Sequence, residues 1–558
     1  MLHDLWQLPP PSENLPRIPI ANDKLRAIVA RRGVTTEDDF RRFAAPTLDD
    51  LHDPAGIHGM AEACGRIERA VRHGQTILIY GDYDVDGVTS IVLLQTVLRT
   101  LGADAAHVVP HRLVDGYGLK TEVIERVLVD RAVKLVITVD CGITSVDPVR
   151  RALERGIDVI ITDHHLPPGI LPEAAAVLNP KQPGCAYPFK ELAGVGVAFK
   201  LCCELVRRNR RKMSIESLLK IAAIGTIADV APLVGENRTI AWLGLHALAE
   251  PRNRGLRALI RRLGLLGKPL RAVDIGFKIG PRINAAGRLA SADTAIDLFA
   301  AADDDKAWQL CAELDRLNAE RQEIEKQVRD AAEQQIEGDE RIIIVAGEGW
   351  HRGVIGLTAG RIAQRYHRPT LAISIDGEVA VGSARSIPSI DLHAQLDIVH
   401  ELFTHFGGHQ FACGFSLERK NLDALRERLA KQFEAIDGDL FRRIAAIDAE
   451  LELHEIDREL FAAHEMLQPF GAGNPQPLFL ARGVEVVSQR TFADECCEVL
   501  LRDANDGRAI AVVWPSAQPL LRDLLRAPSD VLFHLEPDAY APTGARLNLV
   551  DARNSIQP

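Results

Sequence analysis

Four short stretches, each following an apolar run, constrain what this chain can fold into: Gly81-Asp82-Tyr83-Asp84-Val85-Asp86-Gly87, Val139-Asp140-Cys141-Gly142, Thr162-Asp163-His164-His165 and Gly225-Thr226-Ile227-Ala228-Asp229. The runs 77–80, 135–138 and 159–161 are short, rich in branched residues and do not alternate. That pattern predicts strands buried on both faces, as in a parallel sheet. Carboxylates and imidazoles then fall at strand C-terminal ends, the edge where open α/β sheets bind ligands. Carboxylates converging there repel one another unless positive charge sits between them, and carboxylate with imidazole ligands suits Mg²⁺ or Mn²⁺. The chemistry to expect is metal-dependent phosphoester hydrolysis.

A chain of 558 residues favours three or four domains at roughly 150 residues each. The formal net charge of −11 argues against a protein that coats nucleic acid non-specifically, which draws on surplus Lys and Arg. It leaves room for a nuclease, because bound divalent ions and a local basic channel reverse the sign where it matters. The nine Cys are odd in number and none falls in a CxxC spacing. A reduced cytoplasm is the expected compartment. Residues 1–16 are polar and Pro-rich, and no stretch supplies an apolar span long enough for a membrane, so neither secretion nor membrane insertion is expected.

Along the chain, residues 1–50 read as a small helical lead-in, with helices over 22–32 and 36–43. An amphipathic helix over 60–72 precedes an α/β alternation: strand 77–80, helix 88–101, strand 106–109, helix 121–131, strand 135–139, helix 146–155 and strand 158–162. This rhythm predicts a parallel sheet with right-handed crossovers. From 187 to 266 the pattern is mostly helical, including 195–208 and 215–227. Gly280-Pro281-Arg282-Ile283-Asn284-Ala285-Ala286-Gly287-Arg288 reads as a Gly-rich basic turn, and 304–336 as a long, charge-laced connecting helix. A second α/β unit opens with a strand over 342–346, followed by three Gly-rich loops at 347–353, 382–386 and 406–409. Beyond 448, β-rich runs at 484–487, 498–502, 509–514 and 531–535 suggest a small OB-like barrel. The stretch from Gly194 to Lys200 fails as a phosphate loop, since Leu201 stands where Ser or Thr would bind Mg²⁺.

The four motifs, in that order, resemble those of the DHH phosphoesterase superfamily, and the segments at 382–386 and 406–409 resemble its associated DHHA1 domain. With the long helix and the C-terminal β domain, the arrangement is similar to the bacterial branch of that superfamily that degrades single-stranded DNA from the 5′ end. The resemblance implies a parallel-sheet DHH catalytic domain over 51–302, a connecting helix over 303–337, a smaller α/β DHHA1 domain over 338–447 and an OB-like β domain over 448–558. It implies two ions, Mn²⁺ or Mg²⁺, on Asp82, Asp84, Asp140, His164 and Asp229, with Asp140 bridging. Leu78 stands where many small-molecule relatives carry a His, which leaves one ion fewer protein ligands. The resemblance also implies roles in recombination and repair, with single-strand-binding protein and a helicase supplying substrate.

Residue by residue, the bland alternatives are concrete. Asp82 and Asp84, two apart, face one side of an extended chain, but Asp and Gly also make turns. Asp140 and Asp163 could each cap a helix. Asp86 is assigned to a supporting or water-mediated role, Asp163 to orienting a His ligand, and His165 to the scissile phosphate or leaving oxygen. Arg112, Arg282, Arg352 and Arg385 lie beside Gly, Pro or Ser, where a guanidinium reaches phosphate bidentately, although an exposed Arg is often only solvated. By position Arg112, Arg282, Ser383 and Arg385 resemble residues that clamp the 5′ phosphate or nearby backbone, and His409 is expected to face the substrate. The basic run 207–212 reads as a solvated helix end. The rivals are a phosphodiesterase acting on short oligonucleotides or cyclic dinucleotides, and a non-catalytic DNA-binding scaffold, against which the intact carboxylates speak.

Overall fold

The computed structural model describes every residue except 1–2, 11–14, 117, 130–132, 211–212, 493–495, 515–527 and 556–558. The chain packs as two compact units: Arg41–Gln322 with Gln468–Pro475, and Met1–Phe40 with Glu323–Leu467 and Gln476–Pro558.

The first unit is built on five parallel strands, β1 (Thr76–Gly81), β2 (Ala105–Val108), β3 (Val133–Val139), β4 (Asp158–Thr162) and β5 (Ala176–Leu178), in the order β2-β1-β3-β4-β5. Register brings Ile79 beside Ile137, and Ile137 beside Ile160. Ile77 and Ile79 join one buried cluster, while Leu78 and Tyr80 join another. Both faces are therefore covered, which explains why the strand sequences do not alternate. The chain goes from β1 outward to β2 and then back past β1 to β3, so the sheet switches direction between β1 and β3. Helix α1 (Val85–Thr100) follows β1; α2 (Gly194–Arg208) and α3 (Ile215–Ala228) pack on it and on each other, and α4 (Gly235–Ala247) packs on α3.

Two departures from the expected layout lie here. Helix α1 begins three residues earlier than expected, because Asp84 caps it. The segment read as a basic turn, 280–288, is helix α5 (Gly280–Leu289), entered through a π-helical turn at Ile275–Ile279. Pro281 sits in its first turn, where a missing amide costs nothing. The helix expected over 121–131 is described as Thr121–Val129, and the last two expected positions lie outside the described residues, as do Arg211 and Lys212 of the basic run.

The division between units falls within α6 (Asp304–Glu333), the anticipated long helix. In the second unit a sheet is formed by β6 (Ile343–Glu348), β7 (Thr370–Asp376), β8 (Val379–Arg385), β9 (Phe403–His409) and β10 (Ala412–Glu418), ordered β9-β10-β8-β7-β6. Only β6 and β7 run parallel. Two stretches expected as loops, 382–386 and 406–409, thus lie largely in β8 and β9. Gly382 is required in β8 because the ring of Phe415 occupies the space a Cβ would take. Helix α7 (Arg352–Tyr366) covers β7 and β8.

The last part of this unit is a closed five-stranded barrel of β11 (Phe479–Phe492), β12 (Cys496–Arg502), β13 (Arg508–Val513), β14 (Ser529–Pro537) and β15 (Ala545–Asn554). Neighbours run 11-12-13-15-14 and return to 11, with β13 and β15 parallel. Residues 5–7, expected in a helical lead-in, form a strand beside Ile444–Ala446. The fully buried Asp551 accepts hydrogen bonds from the His3 amide (2.7 Å) and Trp6 Nε1 (3.0 Å). Among the described residues no helix is long and apolar enough to cross a membrane, and all nine Cys are free.

One buried ion pair holds α2 in place. Lys200 and Glu236, both essentially without solvent exposure, pair side chain to side chain. Glu236 also accepts from the Tyr187 hydroxyl (2.6 Å) and the His52 amide (2.9 Å), while Lys200 Nζ donates to the His52 carbonyl (2.7 Å). Removing one partner strands a charge in a dry interior. Lys200→Ala is expected to cost about 3 to 5 kcal/mol of stability, read as a lower urea midpoint; an unchanged midpoint would show that the pair does not hold α2.

Candidate metal centre

The chain leaves β1 at Gly81 and reaches Asp82, which is buried. A Cβ on Gly87 would overlap the Asp82 carbonyl, so only glycine lets the first turn of α1 close over it. Asp84 is extended (φ −89°, ψ −176°) and its Oδ1 accepts the amides of Asp86 (2.9 Å) and Gly87 (3.1 Å). This is the N-cap arrangement, and it fixes the carboxylate. Asp86 points elsewhere, and its two oxygens accept the amides of Gly194 (2.7 Å) and Val195 (2.6 Å), the first residues of α2. Asp86 thus ties α1 to α2, and a carboxylate oxygen of Asp86 also lies within 4.8 Å of ligand atoms of His164 and Asp229.

At the end of β3, Asp140 adopts φ 59°, a left-handed conformation uncommon for a non-glycine residue. A Cβ on Gly194 would lie 2.7 Å from Asp140 Oδ1, so α2 can approach only because its first residue has no side chain. At the end of β4, Asp163 Oδ1 accepts the amides of His164 (2.7 Å) and His165 (3.1 Å) and meets His165 Nδ1 at 2.7 Å, while Oδ2 accepts the Ile143 amide (2.9 Å). The carboxylate expected to orient a histidine ligand therefore orients His165, whose assigned partner is substrate, rather than His164. Asp229 closes α3 as its C-cap, and Val230 after it is held at φ 58°, a costly conformation for a β-branched residue.

These residues converge. Ligand atoms of Asp82, Asp84 and Asp140 lie within 4.8 Å of one another, as do those of Asp86, His164 and Asp229, and those of Asp140, His164 and His165. His164 Nε2 stands 3.2 Å from Asp140 Oδ1 and 3.9 Å from Asp229 Oδ2. Asp140 and His164 each belong to two groups, so they connect the whole array. A fourth group, Glu452, His454 and Asp503, is different in kind. The Asp503 oxygens there accept the amides of Leu453, Asn505 and Gly507 and shape a turn.

Electrostatics shows what the array lacks. Burial and then the Asp84 charge raise the Asp82 carboxyl well above the ordinary range. Asp140 is raised by burial and by four neighbouring carboxylates. Asp86 is pushed up to about 7 and Asp229 to about 9 by the same two causes. His164 is pushed down to about 3 by burial and the neighbouring His165, which makes it a neutral imidazole. Burial works against His165 as well, but its hydrogen bond with Asp163 and that carboxylate's charge outweigh it and hold His165 above the usual imidazole value. Asp82 Oδ1 is buried with no hydrogen-bond partner among the described residues. Clustered carboxylates with an orphaned oxygen and a neutral imidazole are a donor set for divalent cations.

The other candidates are scattered. Arg112 lies over the Tyr83 ring, 4.6 Å from its centroid, beside the acidic loop. Arg282, on α5 rather than in a turn, gives Nε to Asp315 (2.5 Å) and Nη1 to the Lys278 carbonyl (2.8 Å). In the second unit Arg352 is the first residue of α7 and lies 3.4 Å from Asp376. Ser383 and Arg385 share the face of β8 under α7, with Arg385 Nη1 donating to Ser383 Oγ (3.1 Å) and to the Ala384 carbonyl (2.8 Å). Arg385 lines a cavity of about 600 Å³ with His367, Phe411 and Arg443. His409 ends β9, where it pairs with Ala412.

Two supporting residues escaped the sequence reading. Asn179, fully buried, donates to the His165 carbonyl (2.8 Å), and Asn284 accepts the Val85 amide (3.2 Å). Neither position stands out in a single sequence, because an uncharged Asn carries no charge signature.

Known proteins resemble this chain over most of its length. Residues 76–226 match the model of the DHH family N-terminal domain, residues 339–435 that of the DHHA1 domain, and residues 447–545 that of the RecJ OB domain. The single-stranded-DNA-specific exonuclease RecJ of Escherichia coli is 34% identical over 508 residues, covering 87% of this chain and 87% of the relative. The chain belongs to the RecJ family. RecJ of Bacillus subtilis is 39% identical over 496 residues, which cover 87% of this chain and 62% of that relative's length. The crystal structure of RecJ in complex with Mn²⁺ from Thermus thermophilus matches with a TM-score of 0.85 at 30% identity, covering 99% of this chain and 80% of that one. Its Mg²⁺ complex matches with a TM-score of 0.79 at 28% identity, covering 99% and 79%.

The raised carboxyls set a pH dependence. A carboxyl whose folded-state pKa exceeds its unfolded value favours the fold most at low pH, and that contribution is lost as pH rises through the folded value. For Asp86 and Asp229 the loss extends to pH about 7 and about 9. In chelator the melting temperature is expected to fall across this range, and added Mn²⁺ to raise it most at the alkaline end, since metal competes with protons for the same oxygens. Thermal melts at pH 6 to about 9, with and without Mn²⁺, check this; a metal-induced gain that is flat in pH would count against the cluster as the binding site.

Proposed function

We propose that this chain removes nucleotides from the 5′ end of single-stranded DNA, with two divalent ions, Mn²⁺ or Mg²⁺, held by Asp82, Asp84, Asp140, His164 and Asp229. The observation that carries the reading is the convergence of these five side chains at the sheet edge, around a buried carboxylate oxygen that has no partner among the described residues. When bound, the ions supply Lewis acidity toward the phosphate and activate water for in-line attack. The protein's share is to fix the carboxylates in place against their mutual repulsion, and to keep His164 neutral so that its lone pair is available. Asp163 holds His165 at Nδ1, and Nε2 is assigned to the substrate. His165, held above the ordinary imidazole value by Asp163, is assigned to protonate the departing 3′ oxygen as the P–O3′ bond breaks. The shortened strand then keeps the 5′ phosphate. Arg112, Arg282, Arg352, Ser383, Arg385 and His409 are assigned to the DNA, in the cytoplasm, where single-strand-binding protein and a helicase present it. Strands labelled at the 5′ or the 3′ end, compared with duplex in Mn²⁺, test the polarity and the strand preference.

Asp140→Ala is expected to abolish hydrolysis while binding of single-stranded DNA partly survives, because the arginines are untouched. Wild-type turnover by a folded Asp140→Ala protein would remove this carboxylate from the mechanism.

Arg385→Ala is expected to weaken use of 5′-phosphorylated strands selectively. A charge-assisted contact to a terminal phosphate is worth about 1.5 to 3 kcal/mol, so kcat/KM falls roughly tenfold to a hundredfold for phosphate ends and changes little for hydroxyl ends. An equal loss on both ends would make Arg385 a general backbone contact or a fold residue.

A further inference from the structure

We propose that helix α5 is the brace of the acidic loop, and that Asn284 and Gly287 are positioning residues that set the metal affinity of Asp82 and Asp84. This inference rests on the reading of those two carboxylates as ligands and adds what holds them.

Both carboxylates sit on a loop of the shortest kind, in which only Tyr83 separates Asp82, at the end of β1, from Asp84, the cap of α1. Like charges placed there push each other apart, so the loop must be held from outside itself. Two observations place α5 against it. Asn284 Oδ1 accepts the Val85 amide (3.2 Å), the first amide of α1 and the neighbour of Asp84. A Cβ on Gly287, one turn further along α5, would overlap the Tyr83 carbonyl oxygen and come to 3.3 Å from the Tyr83 Cβ, so the helix backbone and the loop are in direct contact. The Tyr83 ring, in turn, lies under the Arg112 guanidinium at 4.6 Å. The loop is thus gripped at residues 83 and 85, on either side of Asp84.

The disposition of the first amides of α1 makes Asn284 specific. Asp84 Oδ1 takes the amides of Asp86 and Gly87, and the Asp84 carbonyl takes that of Val88 (2.9 Å). Val85 alone remains, and Asn284 supplies its acceptor. Without it the Val85 amide competes for Asp84 Oδ1, and the carboxylate rotates to serve a third donor. A side chain that orients a ligand in this way typically changes metal affinity tenfold to a hundredfold when removed.

The proposal is tested by Mn²⁺ binding to purified full-length protein, followed by the electron paramagnetic resonance signal of free Mn²⁺, without DNA and without turnover. Asn284→Ala and Gly287→Ala are each expected to raise the Mn²⁺ dissociation constant about tenfold or more. Asn284→Asp, which keeps an acceptor oxygen at the same place, is expected to restore binding to wild-type affinity or better. Asp315→Asn separates positioning from simple support: it removes the charged partner of Arg282 at the other side of α5, so it should lower the melting temperature and leave Mn²⁺ affinity unchanged. Hydrolysis by Asn284→Ala should recover when Mn²⁺ is raised in proportion to the weakened affinity. Unchanged Mn²⁺ affinity in Asn284→Ala, or an equal loss in Asp315→Asn, would overturn the proposal. Should Gly287→Ala not fold, Asn284→Ala and its Asp counterpart decide the matter alone. Wild-type protein that binds no Mn²⁺ would overturn the ligand reading instead, so the two failures are distinct.

Discussion

Mutual repulsion among buried carboxylates is the constraint on which the rest of the catalytic unit depends. Asp82, Asp86 and Asp140 are almost wholly buried, Asp84 and Asp229 are partly so, and the carboxyls of Asp82, Asp86, Asp140 and Asp229 are raised by burial and by their acidic neighbours. Two buried like charges a few ångströms apart oppose folding by more than a typical hydrogen bond returns. Everything around the cluster works against that tendency to spring apart. Amides of α1 hold Asp84, amides of α2 hold Asp86, and glycines at 87, 194 and 287 let three backbones close in where a single methyl group would keep them away.

The supports extend well behind the site. Asp86 fixes the start of α2, and Lys200, further along the same helix, is pinned to Glu236 in the dry interior. Glu236 belongs to α4 and holds Tyr187 and the His52 backbone. A chain of satisfied polar groups thus runs from the acidic edge of the sheet into its helical cover. Backbone strain is present at the edge itself, at Asp140 and Val230, both in left-handed backbone. Such strain persists only where surrounding contacts over-determine the conformation.

Much of this was legible in the sequence because buried parallel strands leave an unambiguous trace: Ile77–Tyr80 and Val159–Ile161 are apolar throughout, so the strands and the polar residues ending them were readable. The donor set was implied by the family resemblance that those motifs carry. Legibility failed where small residues are used for closeness rather than for turning. Gly280, Gly287 and Pro281 suggested a turn, yet Pro281 occupies the first turn of α5 and Gly287 is there for contact with Tyr83. Gly382, Ser383 and Ala384 likewise have weak strand preference, and only the Phe415 ring packed over Gly382 explains their place in β8. The role of Asp163 was half legible. The two residues that follow it are both histidines, and which one it serves is decided by the turn after β4.

The capping of α1 has a further consequence for how phosphate is met. In many α/β folds the helix after the first strand turns its bare amides toward an anion and serves as a cradle for it. Here the chain's own Asp84 and Asn284 have taken those amides, so this end of α1 offers nothing to a negative ligand. The favourable end of the helix dipole faces the Asp84 carboxylate instead. The protein has exchanged a direct hold on phosphate for a hold on the cations that phosphate will follow.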